Sequence, residues 1–521
     1  MKTKYLYMII AAVILMAAGC RVPAAPVLDT SEDELSFAAE GGTKTFEVRS
    51  NVRWSITGKP AWLTVSPEKS NGIVTVTVTA EANQTKYSRD VILKITTPDV
   101  DDVTVKVSQE AAPPTVVNIK AISGVTAPAA GATPVSVITE TAQYSGTVAW
   151  TPAVDNVFEI STVYTATITL TPKTGFMLTG VAANFFEVAG ATTVSNAVGS
   201  GVITAIFPST PDGSATNPFL VATVADLQKI GNDPVWTLFM HYRQTAKINM
   251  EDVNNFTPIS YCSGSYDGGG YSIANLTISG TAGQGLFGTI STNSAVRNVA
   301  LINVNINSTE FYTGGIASFN SGVIENCYVT GKVSGKDYVG GVTGFNDGVI
   351  KNCYTTCDVT GSGEYTGGIT GSFERGLNIA YCYATGKITG TNVVGGIVGG
   401  NFSPDTRVER CVALNKEVSA SNRGIGRIAA YNNGILTGNY ARERGMLFEE
   451  DGEIIFITSS ASGIHGEDAD EIDYNGANSG TWWKNTVGFS DTNWTFEKDR
   501  LPHLKTTTGE AFDETQDPAV K

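Results

Sequence analysis

The residues best suited to chemistry recur at a near-constant spacing. Cys-Tyr stands at 327–328, 353–354 and 382–383, and Cys returns alone at 411. A cysteine repeated in this way can ligate a metal, form a disulfide or fill core space. Zinc sites need close thiolate pairs whose loops converge on one point. Cys353 and Cys357 form the one close pair among seven cysteines, and the chain has three histidines, so no metal or cofactor is expected. Disulfides are open to an exported protein, but in-register residues on stacked parallel strands point their Cβ atoms the same way, a poor approach for a bridge. The favoured reading is a column of small interior side chains.

If Cys327 and Val329 point inward, alternation turns Tyr328 outward. Tyr328, Tyr354, Tyr383 and Tyr440 would then form an exposed aromatic column beside Thr330, Thr356 and Thr385. Rings with nearby hydroxyls suit sugars and protein partners alike; the alternative is that the rings pack on one another and stiffen the stack. Trp54 shares the parity of core residues, whereas Trp62, beside a proline turn, stays a candidate for ligand contact. Catalytic arrangements are not found in the sequence. His241, His465 and His503 lie in unrelated contexts, and HExxH, GxSxG and P-loop motifs are missing. The GxGxxG match at 283–288 has no βαβ unit around it and reads as a turn. Carboxylates over 314–440 are scattered, where polysaccharide cleavage would need them clustered. The run Glu467, Asp468, Asp470, Glu471, Asp473 fits no calcium-loop spacing.

The elements that position these residues follow from periodicity. The chain has 521 residues, with 42% hydrophobic and 16% charged residues and 56 glycines, a composition that favours strands and turns. A net charge of −15 disfavours nucleic acid and anionic lipid as partners. Gly-Gly pairs begin at 314, 340, 367 and 395, and the aligned segments place Val299, Cys327, Cys353, Cys382, Cys411 and Asn439 at one position. Units this short cannot bury their own faces and must stack, which predicts a parallel β-helix. Thr223 to Gly231 reads as a short capped helix closing one end. Upstream, Phe46, Val48, Trp54 and Ile56 share one parity, and Val74, Val76 and Val78 alternate with threonines; a period of two predicts half-buried antiparallel strands.

Three stretches carry resemblances. The start, with Lys2, Lys4, an apolar run to Ala18 and then LMAAGC, resembles a lipoprotein signal. This implies cleavage before Cys20 and acylation of its thiol, the alternative being an ordinary signal peptide; with the BACON resemblance of the next stretch, the expected place is lipid-anchored at the outer membrane of a Gram-negative bacterium. FAAEGGTKTFEVRSNVRWSI, PAWLTVSP and VTVKVSQE resemble the BACON domain, which implies an immunoglobulin-like sandwich and possible carbohydrate or mucin contact. ITLTPKTGFMLTGVAANFFEVAGA is similar to an immunoglobulin-like module of bacterial surface proteins. GGVTGFNDGVIKNCYTTCDVTG and GGIVGGNFSPDTRVERCVAL resemble GLUG repeats of adhesins, and WWKNTVGFSDTNWTFEKDRLPHLK resembles their closing segment. Tyr381 and Arg410 depart from the repeat, replacing the Asn before Cys.

The expected plan is all-β, with two immunoglobulin-like β-sandwiches followed by a GLUG-type parallel β-helix. A signal peptide spans 1–19 and a linker 20–27. The sandwiches occupy 28–110 and 115–210, the β-helix 214–440, a C-terminal cap 441–508 and a tail 509–521. The expected function is a non-catalytic, monomeric surface adhesin binding glycan, mucin or an extracellular protein, without nucleic acid and touching membrane only through lipid. The rivals are a polysaccharide-degrading enzyme on the same scaffold and a purely structural surface protein.

Overall fold

A computed structural model describes residues 24–518 except 282, 376, 443–446, 455–464, 466, 470, 477–478, 513–515 and 517. Cys20 and the signal sequence lie outside the described residues. The chain divides into two compact units, Met1–Ser209 and Thr210–Lys521. Among the described residues no helix is long and apolar enough to cross a membrane.

In the first unit, residues 28–109 form a four-stranded and a five-stranded sheet. One core fills the space between them, built from the residues of common parity: Phe46, Val48, Trp54, Ile56, Val76, Val78, Leu93 and Val105. After it, Tyr144–Thr151, Val163–Pro172, Thr193–Asn196 and Val202–Ser209 make an antiparallel sheet. Opposite this sheet the chain forms only two short parallel pairings, Thr115–Val116 with Phe176–Met177 and Ala121–Ile122 with Glu187–Val188, so the second layer is largely irregular. Tyr164, Ala166, Ile168 and Leu170 are buried, as their alternation with threonines requires.

The second unit is a run of short parallel strands wound into a solenoid. A representative coil runs through Val323–Glu325 on a first face, Tyr328–Gly335 and Asp337–Gly340 on a second, and Thr343–Asn346 on a third. The third face stacks seven such strands in parallel, from Ile259–Cys262 to Ala429–Asn432. Inward side chains form vertical columns: Ile324, Ile350, Ile379 and Val408 on one face, and Val342, Ile369, Ile397 and Ile428 on another, all fully buried. Cys327, Cys353, Cys382 and Cys411 form a further interior column, buried and free of disulfides. Where the column ends, Asn439 takes the cysteine's place. Its side chain accepts from the Cys411 N–H at 2.9 Å and donates to the Val408 carbonyl at 2.7 Å, so the amide is satisfied without water.

The Gly-Gly pairs are the corners between the second and third faces. A Cβ on Gly315 would stand 2.5 Å from the Gly341 carbonyl oxygen of the next coil, and one on Gly341 would overlap the Gly368 carbonyl oxygen. Coils advance by about 4.8 Å, and at these corners nothing larger than hydrogen fits between them. The helix Val224–Lys229 closes the stack at its start. The Thr223 side chain accepts from the Asp226 N–H, and Leu227 and Ile230 join the solenoid core.

A second kind of corner precedes the cysteines. Asn298, Asn326, Asn352, Tyr381 and Arg410 occupy it with φ from +50° to +55°. Asparagine tolerates this left-handed geometry best, which accounts for its repetition. Tyr381 and Arg410 keep the same backbone, so their departure from the repeat does not break the coil. Their side chains, like those of the asparagines, grip a segment that returns from the C-terminal side.

Candidate functional site: an aromatic face of the solenoid

That segment, a strap through the π-helical turn Trp482–Val487 and the pairing of Trp494–Thr495 with His503–Leu504, lies over the outer side of the second face. Asn298 exchanges hydrogen bonds with Thr507 at 2.7 and 2.9 Å, and the Asn326 side chain donates to the Lys505 carbonyl at 3.1 Å. The Trp494 indole donates to the Asn352 side-chain oxygen at 3.3 Å, and Arg410 donates to the Val487 carbonyl at 2.8 Å. Tyr381 meets Phe489 edge-on.

The strap decides the fate of the expected tyrosine column. Alternation places Tyr328, Tyr354 and Tyr383 outside the coil, and their rings stack 4.9 Å apart within 3° of parallel. They are not exposed: each is at most 2% accessible, covered by Trp483, Phe489, Trp494 and Phe512. Tyr354 donates to the Gln516 side chain at 3.1 Å and Tyr383 to the Pro502 carbonyl at 2.5 Å. Burial holds the Tyr383 phenol well above its usual range. Tyr440 is half-buried, edge-on to Trp482. A ligand cannot reach the first three while the strap is docked, which corrects the expectation of an open column. Trp62 is half-buried, with the Arg89 guanidinium 4.4 Å over its ring, so one face is already occupied. Phe512 and Gln516 show the covering segment continuing beyond residue 508.

A different set of aromatics reaches solvent. Tyr312, Tyr338 and Tyr365 each stand two residues before a Gly-Gly pair, in FYTGG, DYVGG and EYTGG. All three have left-handed backbones, with φ of +61°, +57° and +61°. In register with them stand Gly283, Val393 and Gly424, also at positive φ. Glycine occupies this geometry freely, whereas a bulky residue there costs roughly 1–2 kcal/mol. The next coil accommodates the strain with glycine: a Cβ on Gly344 would lie 2.5 Å from the Thr313 nitrogen and 2.7 Å from the Tyr338 carbonyl oxygen.

The rings make a continuous strip along the axis. Tyr312 and Tyr338 have centroids 5.1 Å apart, and Tyr338 and Tyr365 5.3 Å apart, inclined by 35° and 23°. At that spacing they overlap like tiles and do not lie in one plane. Phe319 and Phe345 stack at 4.8 Å beside them, and Tyr365, Phe402 and Tyr431 continue the strip at 5.0 and 5.1 Å. The three tyrosines are half-buried, and Phe311 and Tyr431 are 44% and 42% accessible. The rim is acidic on one side. Burial, then the neighbouring Asp347, holds the Glu374 carboxyl above its usual range. Burial first, then the adjacent phenols and Glu374, raises Tyr338. This surface can stack, offer apolar edges and exchange hydrogen bonds. Among the described residues no group of three or more His, Cys, Asp or Glu could hold a metal ion. The signal for the strip was present in the sequence as the Tyr two places before Gly-Gly.

Comparisons with known proteins match two of the modules. Residues 27–112 match the family of the Viral BACON domain, and residues 309–334 match the GLUG motif. Halomucin of Haloquadratum walsbyi is 31% identical over 118 residues, which are 21% of this chain and 1% of that protein; the chain thus spans a small fraction of the relative's length. A candidate immunoglobulin A1 protease of Bacteroides ovatus aligns with 57% of this chain and 94% of its own at 22% identity and a TM-score of 0.48. A Bacteroides ovatus GH5 xyloglucanase in complex with a heptasaccharide aligns over 20% of this chain and 22% of its own, with 21% identity and a TM-score of 0.16. At that identity and TM-score neither structure carries an argument about chemistry.

Proposed function

We propose that the protein is a non-catalytic surface adhesin, held to the outer membrane by lipid on Cys20, that meets a glycan, mucin or host-matrix ligand through the aromatic strip of its solenoid. The observation that carries this reading is the trio Tyr312, Tyr338 and Tyr365. They accept a strained backbone at a position that Gly283 holds one coil earlier and Gly424 two coils later, with Val393 between, and strain of this kind is kept where surrounding structure and use repay it. The partial likeness to Halomucin is compatible with a surface role. The strip runs along several coils, which suits an extended ligand touching successive rings better than a small molecule in a pocket.

The test is a binding screen of the full chain on immobilised mucin, glycans and matrix proteins, with the Tyr338→Asn/Tyr365→Asn double variant beside it. Asparagine tolerates the left-handed backbone, so the variant removes rings without adding strain. The variant should bind at least about tenfold more weakly than the native chain, the equivalent of about 1.4 kcal/mol. Equal binding by both proteins would remove the strip from the function. Membrane attachment is tested separately, by incorporation of a labelled fatty acid that Cys20→Ala abolishes.

A further inference from the structure

The second face holds a concavity of another character. At the bulge where Asn303 has φ +54° and Gly331 φ +117°, the register slips between Leu301 and Val304. Two adjoining hollows of about 490 and 380 Å³ result, sharing Asn305, Lys332 and Asp358. Together they form one groove from Asn275 and Thr277 to Lys387 and Thr389, crossing five successive coils, or about 19 Å at the usual strand spacing.

The lining is polar, and much of it is unused. Elsewhere the solenoid pairs its amides coil to coil, as where Asn320 donates to Asn346 at 2.7 Å, and at the groove's end Asn303 donates to Asn275 at 2.7 Å. In the groove, the side chains of Thr277, Asn305, Lys332, Thr360 and Thr389 have no hydrogen-bond or ionic partner among the described residues. Asn305, Lys332 and Thr360 are exposed. Charge nearly cancels, since Lys332 faces Asp358 in the next coil and Lys387 is bridged to Glu417 at 2.7 Å. No aromatic ring lines either hollow.

We infer that this groove is a second binding site, for a linear neutral glycan lying along the solenoid axis. This rests on the binding reading above and names a ligand class and a place for it. Each coil advances by about 4.8 Å, close to the length one sugar adds to an extended β-1,4-linked chain. A fixed row of hydroxyl, amide and ammonium groups therefore meets equivalent hydroxyls on successive sugars. The charge balance disfavours polyanions, and unpaired donors and acceptors in a concave site are what a hydroxyl-rich chain satisfies.

The experiment titrates the full chain with β-1,4-linked neutral hexose oligomers of increasing length, by calorimetry. Affinity should rise with each added sugar and level off once the groove is filled. Asn305→Ala/Thr360→Val should lower it at least about tenfold, and Thr389→Trp, which fills the groove from an independent position, should do the same. Tyr338→Asn/Tyr365→Asn should leave it unchanged. Affinity independent of length, preference for a sulfated chain, or loss only in the tyrosine variant would each overturn the groove assignment. If mucin or matrix binding through the strip persists while no oligomer binds, only the groove inference falls. If neither is seen, the adhesin reading falls with it.

Discussion

Two columns of residues that share a positive φ have opposite uses. At the corner before Cys327 and Cys353, and at its equivalent Asn298, asparagine accepts positive φ because its short polar side chain fits, and its amide then meets the strap. At the corner before each Gly-Gly pair, tyrosine takes the same geometry with no such excuse. Val393 is the sharpest case, since a β-branched residue at φ +54° is strained on both sides of its Cα. Val393→Asn should raise the melting temperature of the solenoid transition in the full chain, by the equivalent of about 1 kcal/mol, measured by differential scanning calorimetry; an unchanged or lower value would mean that the valine's packing outweighs its strain. The interior cysteines invite a different measurement. Burial raises the thiols of Cys327, Cys353 and Cys382 well above their usual range and pushes Cys262 up to about 12. These groups are protonated in the fold and free to ionise when unfolded. Stability is therefore whole below about pH 8.5 and declines as pH rises beyond it. In native buffer a thiol reagent should label none of these four until denaturant is added.

The coil was legible because its constraints are local. Intervals of 26, 27 and 28 between Gly-Gly pairs report one turn of chain, and the corner leaves no room for a Cβ, so composition and geometry state the same fact. Gly341→Ala should destabilise the solenoid by about 1–3 kcal/mol, the usual penalty of overpacking. Urea denaturation followed by far-UV circular dichroism would show it, and a shift below a few tenths of a kcal/mol would mean the coils can spread. Alternation likewise told correctly which way Cys327 and Tyr328 point. It could not tell what lies beyond Tyr328, because alternation describes a strand's two sides and not what packs on either. The cover arrives from Trp483, Trp494 and Phe512, which belong to no repeat and have no periodicity to align. The aromatic strip was missed for the converse reason: its tyrosines sit in a corner, where period-two reasoning does not apply.

Across the solenoid unit, the strap joins coils far apart in sequence, with Asn298 and Thr507 separated by 209 residues. It encloses a second apolar core, distinct from that inside the coils, with Trp494 fully buried between Tyr354, Tyr383 and Phe489. Trp494→Ala should cost about 3–5 kcal/mol and unmask Tyr354 and Tyr383, seen as new binding of a hydrophobic dye by the otherwise folded chain. A variant with native stability and no dye binding would show that the strap holds without its central anchor. The same geometry bears on mechanical load. A bare solenoid under tension yields at one end and unspools a turn at a time, because each turn is held only by its neighbours. Here Asn298, Asn326, Asn352 and Arg410 are clamped to a single crossing segment. No turn between them can peel away alone; several clamps must shear together before the first one lengthens, so the rod should fail abruptly at a high force instead of paying out gradually.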